Sequence, residues 1–153
     1  MAQFNVDFPD DIMSGLLDTE FSEIAEAALA EAGPILENTM KASAKATIMH
    51  EGDSEMVNSI KMSKPKATRT NAWITNVGPS GNSSTKKYTA VDSKGKRTHR
   101  KHPVSNALKA IWKEYGIPGR QPPRPFIQSA VNLAQSAVIR KMQEVYNRKV
   151  GAK

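Results

Sequence analysis

Apolar residues recur near every third or fourth position in two long stretches, one in each half of the chain, and this spacing predicts two long helices. The first begins at Asp18, and its repeating apolar positions are Phe21, Ile24, Ala28, Ile35, Leu36 and Met40. The second follows Pro125, and its stripe is Ile127, Val131, Ala134, Val138, Met142 and Val145. Pro34 interrupts the first stretch. Because proline removes a backbone donor and clashes with the preceding turn, we expect a kink near Pro34 or two abutting helices.

Between these stretches the apolar pattern is shorter and changes period. A helical turn over residues 54–59 precedes two predicted strands, at about 60–63 and 71–77. The segments YTAV and KRTH flank a turn sequence ending in Gly95, which predicts a β-hairpin. A short helix, NALKAIWKEY, follows, and its apolar stripe is Leu108, Ile111, Trp112 and Tyr115. The predicted fold class is α+β, with a long N-terminal and a long C-terminal helix packed on a small antiparallel sheet with a protruding basic hairpin.

Length and composition narrow the class of protein. The chain has 153 residues and no cysteine, which predicts one domain and excludes a disulfide scaffold, a thiolate nucleophile and a Cys-ligated metal site. We expect an arm or short element over 1–17, a core over 18–148 and a flexible tail over 149–153. The apolar runs fall far short of the roughly 20 residues that a membrane span needs. The N-terminus lacks the basic and apolar regions of a secretory signal, so we expect an intracellular protein without a membrane partner.

The net charge of +7 conceals a strong asymmetry along the chain. Residues 1–60 hold 12 acids and two lysines and carry −10, whereas residues 61–153 hold three acids and 20 basic residues and carry +17. Such a division indicates either a polyanionic partner or head-to-tail self-association of opposite surfaces. Both interpretations remain open at the level of sequence.

Residues 86–102, the predicted basic hairpin, contain seven Lys or Arg residues and a single acid, Asp92. The basic residues are Lys86, Lys87, Lys94, Lys96, Arg97, Arg100 and Lys101. They could contact DNA phosphates without sequence specificity, dock on an acidic protein neighbour, or keep an edge hairpin from aggregating. Tyr88 is the one aromatic residue among the charges, which disfavours a stacking platform for single strands.

Candidate catalytic and metal-binding residues are sparse. After residue 60 the acids are Asp92, Glu114 and Glu144, and no nucleophile–base motif occurs. His99 and His102 have basic neighbours and no nearby carboxylate, so we interpret them as a surface pair and not as half of a metal site. We therefore expect no enzymatic activity, no cofactor and no metal.

Two stretches carry a family resemblance. GDSEMVNSIKMSK resembles a glycine-containing turn into a first Ser-Ile strand, with Gly52, Ser59 and Ile60 at the matching positions. AIWKEYG followed by PPRPFIQSAV resembles a Glu-x-Gly … Arg-Pro-Phe signature, with matches at Glu114-Tyr115-Gly116 and Arg124-Pro125-Phe126. Together with the order of elements over about 18–148, these stretches resemble the minor tail-component family of long-tailed bacteriophages and prophages, also called tail-completion or head–tail joining proteins. The chain departs from the pattern at Met56-Val57, where leucine is usual, and in its longer and more basic insert at 86–102.

The resemblance implies a structural protein of the virion, located in the tail or neck and in the host cytoplasm during assembly. It implies a ring, commonly of six subunits, around the DNA channel, with neighbouring tail or neck proteins and duplex DNA as further partners. A ring requires a heterologous contact that closes on itself. Arg124 and Phe126 are candidate interface residues, although Pro125 and Phe126 are first interpreted as the start and the core anchor of a helix. The alternative function is a small basic DNA-binding protein acting outside a virion.

Overall fold

The computed structural model describes residues 2–3, 18–48, 54–70, 72–82, 86–91, 93–102 and 104–151. In chain order the elements are β1 (Ala2–Gln3), α1 (Asp18–Thr47), α2 (Ser54–Asn58), β2 (Ile60–Met62), β3 (Lys66–Ala67), β4 (Trp73–Ile74), β5 (Asn76–Pro79), β6 (Lys86–Val91), β7 (Arg97–His102), α3 (Asn106–Tyr115) and α4 (Phe126–Gly151). The predicted α+β class, with two long helices beside small antiparallel sheets, is confirmed.

The core lies between α1 and α4, which pack along each other in antiparallel directions. Near one end, the Ser43 hydroxyl of α1 donates to the Phe126 carbonyl at 2.9 Å. Near the other end, Glu31 of α1 forms an ion pair with Arg148 of α4. The fully buried larger side chains are Phe126, Met40, Met56, Ile60 and Val145. Small residues occupy much of the seam between the helices, which lets their backbones approach closely.

Helix α1 is continuous over 30 residues with Pro34 inside it. The alternative of two separate helices is therefore wrong, while a kink at Pro34 stays a prediction. Pro34 and Ala30, one turn before it, are both exposed. Proline has no N–H to donate to the carbonyl of Ala30, so this carbonyl lies on the solvent side of the helix without its usual intrahelical partner.

The strands form three small antiparallel sheets in the described residues: β1-β5-β2, β3-β4 and β6-β7. The single strand predicted over 71–77 is therefore wrong, because β4 and β5 belong to different sheets. The break lies at Thr75, whose hydroxyl donates to the Ser63 carbonyl at 2.7 Å. The Ser63 hydroxyl in turn accepts from the Asn76 N–H at 2.9 Å. These side-chain bonds replace ladder bonds and change the course of the chain between the two strands.

Strand β2 lies very close to the middle of α1. A Cβ placed on Gly33 would be 1.9 Å from the Met62 sulfur, so the absence of a side chain permits this approach. Glu37, one turn further along α1, accepts a hydrogen bond from the Met62 N–H at 2.8 Å and pairs with Lys41 at 2.6 Å. The edge N–H of a three-residue strand is thus satisfied by a helix side chain, which ties the sheet to α1.

Glu37 gives the stability of the protein a dependence on acid pH. The hydrogen bond from Lys41 and the Met62 N–H hold the pKa of Glu37 below its usual value of 4.5. A depressed pKa in the folded state contributes stability above the unfolded-state pKa, and this contribution is lost as the pH falls through the folded-state value. We expect Glu37→Gln to lower the free energy of unfolding by about 0.5–1 kcal/mol at neutral pH.

Urea titrations of both proteins from neutral pH to about pH 3 measure this effect. The difference in unfolding free energy should shrink on acidification, since the wild-type carboxylate becomes protonated. Glu26→Gln removes an exposed carboxyl of the same helix and serves as the matched control. If the loss of unfolding free energy caused by Glu37→Gln stayed constant over the whole acid range, the lowered pKa of Glu37 would be contradicted.

The chain ends depart partly from the sequence-based expectations. Residues 2–3 form β1 and pair with Val77 and Asn76 of β5, in agreement with a short N-terminal element. The remainder of the predicted arm, residues 4–17, lies outside the described residues, as does Gly52. Helix α4 continues to Gly151, so residues 149–151 are helical, and the flexible tail over 149–153 stays a prediction.

Candidate functional site

Helix α3 turns its apolar side outward. Its buried residues are Asn106, Lys109, Ala110 and Glu114. The side chains of its apolar stripe are exposed: Leu108 by 40%, Ile111 by 47%, Trp112 by 38% and Tyr115 by 77%. An amphipathic helix on a globular protein normally directs this stripe to the core. Here the apolar and the buried faces are opposite, which leaves a nearly charge-free apolar helix face in solvent. We call these four residues the α3 face.

The polar side of α3 faces inward because its side chains bind backbone groups of neighbouring elements. The Asn106 amide donates to the Ser80 carbonyl at 2.9 Å, and the Asn106 N–H donates to the Gly81 carbonyl at 3.0 Å. No described residue donates to the Asn106 side-chain oxygen, although this atom is buried. Asn106 therefore fixes the start of α3 against the segment that follows β5.

Glu114 fixes the other end of α3. Its two carboxylate oxygens accept from the N–H groups of Ile127, at 2.8 Å, and Gln128, at 3.0 Å. These are first-turn donors of α4 that have no partner within their own helix, and a negative charge complements the positive end of the helix dipole. A carboxylate from one helix thus caps the next.

The residues between these helices complete the connection. Gly116 has a φ of +76°, and the N–H of Arg124 donates to the Lys113 carbonyl at 2.7 Å. Phe126 is fully buried. The Glu114–Gly116 and Arg124–Phe126 stretches that carry the family resemblance therefore build one structural unit, a capped turn from α3 into α4.

The two predicted interface residues lie in different environments. Arg124 is half-buried and keeps accessible surface, and its role at a subunit interface stays a prediction. Phe126 is fully enclosed in the core of its own protomer, so its side chain has no surface to offer to a neighbour. The structure therefore assigns Phe126 the core-anchoring role.

A groove runs beside the α3 face and extends it. Its volume is about 440 Å³, and its lining is mainly apolar. The floor is the outer side of β2 and β5, including Lys61 and Gly78, and the walls come from Ala110 and Ile111 of α3 and Ile127 of α4. Ile111 belongs to both the groove and the α3 face, so the two form one continuous apolar surface.

The predicted basic hairpin is confirmed as β6 paired with β7 over six residue pairs. Lys86 and Lys87 lie on β6; Arg97, Arg100 and Lys101 lie on β7; and Lys94 and Lys96 lie in the exposed turn. The hairpin packs only marginally against any other described helix or strand. The structure thus gathers all seven predicted basic residues on one projecting element.

Part of the charge division along the sequence is balanced within one protomer. Glu31, from the acidic half, pairs with Arg148 and, at 3.5 Å, with Lys141, both from the basic half. The hydrogen bond from Arg148 lowers the pKa of Glu31. Part of the opposite charge is therefore neutralised within one protomer, between α1 and α4. The interpretation of the charge division as head-to-tail self-association of opposite surfaces stays a prediction.

The candidate histidines both belong to the hairpin. His99 and His102 are three positions apart on β7, and their interpretation as a surface pair stays a prediction. No group of three or more His, Asp or Glu residues that could hold a metal occurs among the described residues. Glu114 serves as a helix cap. In the described part of the chain, no helix is long and apolar enough to span a membrane.

Comparison with known proteins adds no relative. Nothing matches this chain among protein-family models, curated proteins or solved structures. The α3 face, its groove and the basic hairpin are consequently interpreted from their geometry and chemistry.

Proposed function

We propose that this chain is a structural subunit of a phage or prophage tail or neck, a tail-completion or head–tail joining protein that assembles as a ring around the DNA channel. The observation that carries the proposal is the α3 face, which exposes an entire helical stripe of large apolar side chains. Its role is to bind a second copy of the chain. In this proposal the protein acts by assembling and does not catalyse a reaction. The resemblance at Glu114–Gly116 and Arg124–Phe126 supports the phage assignment.

The area of the α3 face suits a subunit interface. Its four side chains expose on the order of 400 Å² of mostly apolar surface, since a large aromatic side chain presents roughly 150–250 Å². A stable interface buries about 800 Å² per partner, with an apolar core and a polar rim. The α3 face has the size of such a core, and the adjoining groove and its rim supply the remainder.

Exposed apolar side chains on α4 are candidates for the other half of a head-to-tail contact. Among the described residues, the other large hydrophobic side chains in solvent are Leu133, Ile139 and Val150, all on α4. Ile139 lies 12 residues beyond Ile127 of the groove, which is about 18 Å along a helix. A heterologous contact joins two different parts of the surface, and it forms a ring where the rotation between neighbouring subunits closes. We assign the α3 face of one subunit to the outer side of α4 of the next.

Replacement of the α3 face tests this function. We expect the triple variant Leu108→Gln, Ile111→Gln and Tyr115→Gln to keep its unfolding free energy within about 1 kcal/mol of wild type, because these are surface positions and glutamine suits a helix. The same variant should no longer assemble with itself or join the tail. Light scattering, followed by electron microscopy with the tail and neck proteins, measures both properties.

The triple variant Ala30→Gln, Ala42→Gln and Ala46→Gln is the matched control, since it places three glutamines on exposed positions of α1. It should assemble as the wild type does. Full assembly by the α3 variant would refute the proposed contact. A wild-type protein that stays monomeric and joins no tail or neck assembly, yet binds duplex DNA tightly at physiological salt, would refute the function and favour the alternative.

That alternative, a small basic DNA-binding protein acting outside a virion, is supported by the projecting basic hairpin. It leaves the α3 face unexplained, because an apolar surface without charge has no attraction for phosphate. The structural role accounts for both surfaces, and it is therefore the function that the geometry supports best.

A further inference from the structure

The basic hairpin has the features of an element that acts outside its own protomer. Its strands pair over their whole length, from Lys86 opposite His102 to Val91 opposite Arg97. Its turn, residues 93–96, is exposed, with Gly95 at a φ of +75°.

The register concentrates positive charge on both faces of the hairpin. Positions two apart on a strand share a face, as do directly paired positions. Lys87, Arg97 and Lys101 therefore share one face, while Lys86 and Arg100 share the other. Lys87 stands directly opposite Lys101, and like charges in this arrangement destabilise a hairpin. A polyanion at the hairpin would relieve this repulsion.

We infer that the hairpin binds duplex DNA through the phosphate backbone, without sequence specificity. A two-stranded ribbon fits the major groove, which is bordered on both sides by rows of phosphates. Residues two apart on a strand are separated by about 6.6–6.8 Å, which corresponds to two steps of about 3.4 Å along a DNA strand. Lysine and arginine contacts to phosphate position a protein but carry no sequence information.

The regular spacing and the charge on both faces favour DNA over an acidic protein, whose carboxylates would meet one face in an irregular arrangement. The inference rests on the proposed function only for the location of the DNA, namely the channel of the ring. Binding itself is a property of the single chain.

Fluorescence anisotropy with a short labelled duplex, over a series of salt concentrations, tests the inference on the full chain. The hairpin variant replaces Lys94, Lys96, Arg97, Arg100 and Lys101 with serine. The matched control replaces five exposed basic residues elsewhere with serine: Lys45, Lys66, Arg69, Arg140 and Lys149. Both variants lose the same charge, so a difference between them reports location and not net charge. Circular dichroism verifies that both are folded.

We expect the hairpin variant to bind at least about tenfold more weakly than wild type and to lose up to about 4.5 from the slope of log K against log salt, since each phosphate contact contributes roughly 0.9. The control should lose much less, and two duplexes of unrelated sequence should bind equally. Equal losses in both variants, or no binding by the wild type, would overturn the inference. Competition by polyglutamate as effective as by duplex would overturn it in favour of protein docking.

The two proposals fail separately. If the wild type forms a ring but the hairpin variant binds DNA as tightly as the wild type, only the inference about the hairpin is refuted. If DNA binding depends on the hairpin but the chain never assembles, only the proposed function is refuted.

Discussion

Phe126→Ala is expected to lower the free energy of unfolding of the isolated protomer by about 3–5 kcal/mol, the usual cost of truncating a fully buried aromatic side chain. Phe126 has no exposed surface, and it stands at the start of α4, where its carbonyl also binds Ser43 of α1. The cavity would lie at the junction of the two long helices, where small neighbours such as Ala130 cannot fill it. Urea denaturation monitored by circular dichroism measures the loss.

Arg124→Ala serves as the comparison, because Arg124 is half-buried and precedes the same helix. Its effect on the protomer should remain within about 1 kcal/mol. The two substitutions thus separate a core anchor from a surface residue only two positions away. If Phe126→Ala abolished assembly while the protomer kept its full stability, an interface role would replace the core role.

Gly116→Ala is expected to be the second most damaging substitution, at about 3 kcal/mol. A Cβ at this position would lie 2.6 Å from the Gln121 carbonyl oxygen and 2.8 Å from the Pro123 nitrogen. Both atoms belong to the backbone and cannot rotate away. The backbone of Gly116, with a φ of +76° and a ψ of −179°, lies in a region that is essentially limited to glycine, and this adds on the order of 1–3 kcal/mol for a residue with a side chain. The turn that positions Glu114 and α4 would have to shift.

Gly119→Ala separates the two contributions. Gly119 also has a positive φ, of +70°, but an added Cβ there meets nothing within 4 Å. We expect a loss of only about 1 kcal/mol. Thermal unfolding of both variants under identical conditions provides the comparison. Equal losses would show that conformational strain alone, and not the contact with residues 121–123, determines the effect at Gly116.

These two predictions concern the residues that carry the family resemblance, and this has a consequence for how the resemblance is interpreted. Glu114 caps α4, Gly116 permits the turn and Phe126 anchors the core. Each residue type is required by the fold and would be required in any protein built on the same connection. The fold of this chain therefore accounts for these residues, and the proposed function depends on the α3 face, which lies beside them.

The helices and the hairpin could be predicted because their signals are local. The apolar period of α4 selects Ala134, Val138 and Met142 as buried positions, and all three are buried. The turn before Gly95 defines the hairpin from a few adjacent residues. In both cases the information lies within one or two turns of chain, so long-range contacts do not alter it.

The orientation of α3 could not be predicted in the same way. A hydrophobic stripe shows that a helix has two faces, but it does not show which face a single protomer buries. In α3 the buried face is selected by Asn106 and Glu114, whose partners at Ser80 and Ile127 are 26 and 13 positions away. A buried carboxylate that caps another helix outweighs an apolar stripe only when the tertiary structure brings that helix to it.

Other departures have the same origin. The strand at 71–77 is divided by bonds between Ser63 and Thr75, 12 positions apart. Glu31 pairs with Arg148, which is 117 positions away in the sequence. A count of charges along the sequence cannot reveal such a pair. Local pattern thus determines which elements form, whereas polar pairs distant in sequence determine how they face one another.

The proline inside α1 restricts where neighbouring subunits can lie. The carbonyl of Ala30 faces the solvent side of the helix, and Pro34 cannot donate to it. Water satisfies this oxygen in a free protomer, but a dry apolar partner would leave it without a donor at a cost of about 1–3 kcal/mol. Any subunit that covered this turn would have to present an N–H or O–H group at that point. In the proposed assembly, the outer side of α1 around Ala30 is therefore best suited to remain in contact with water.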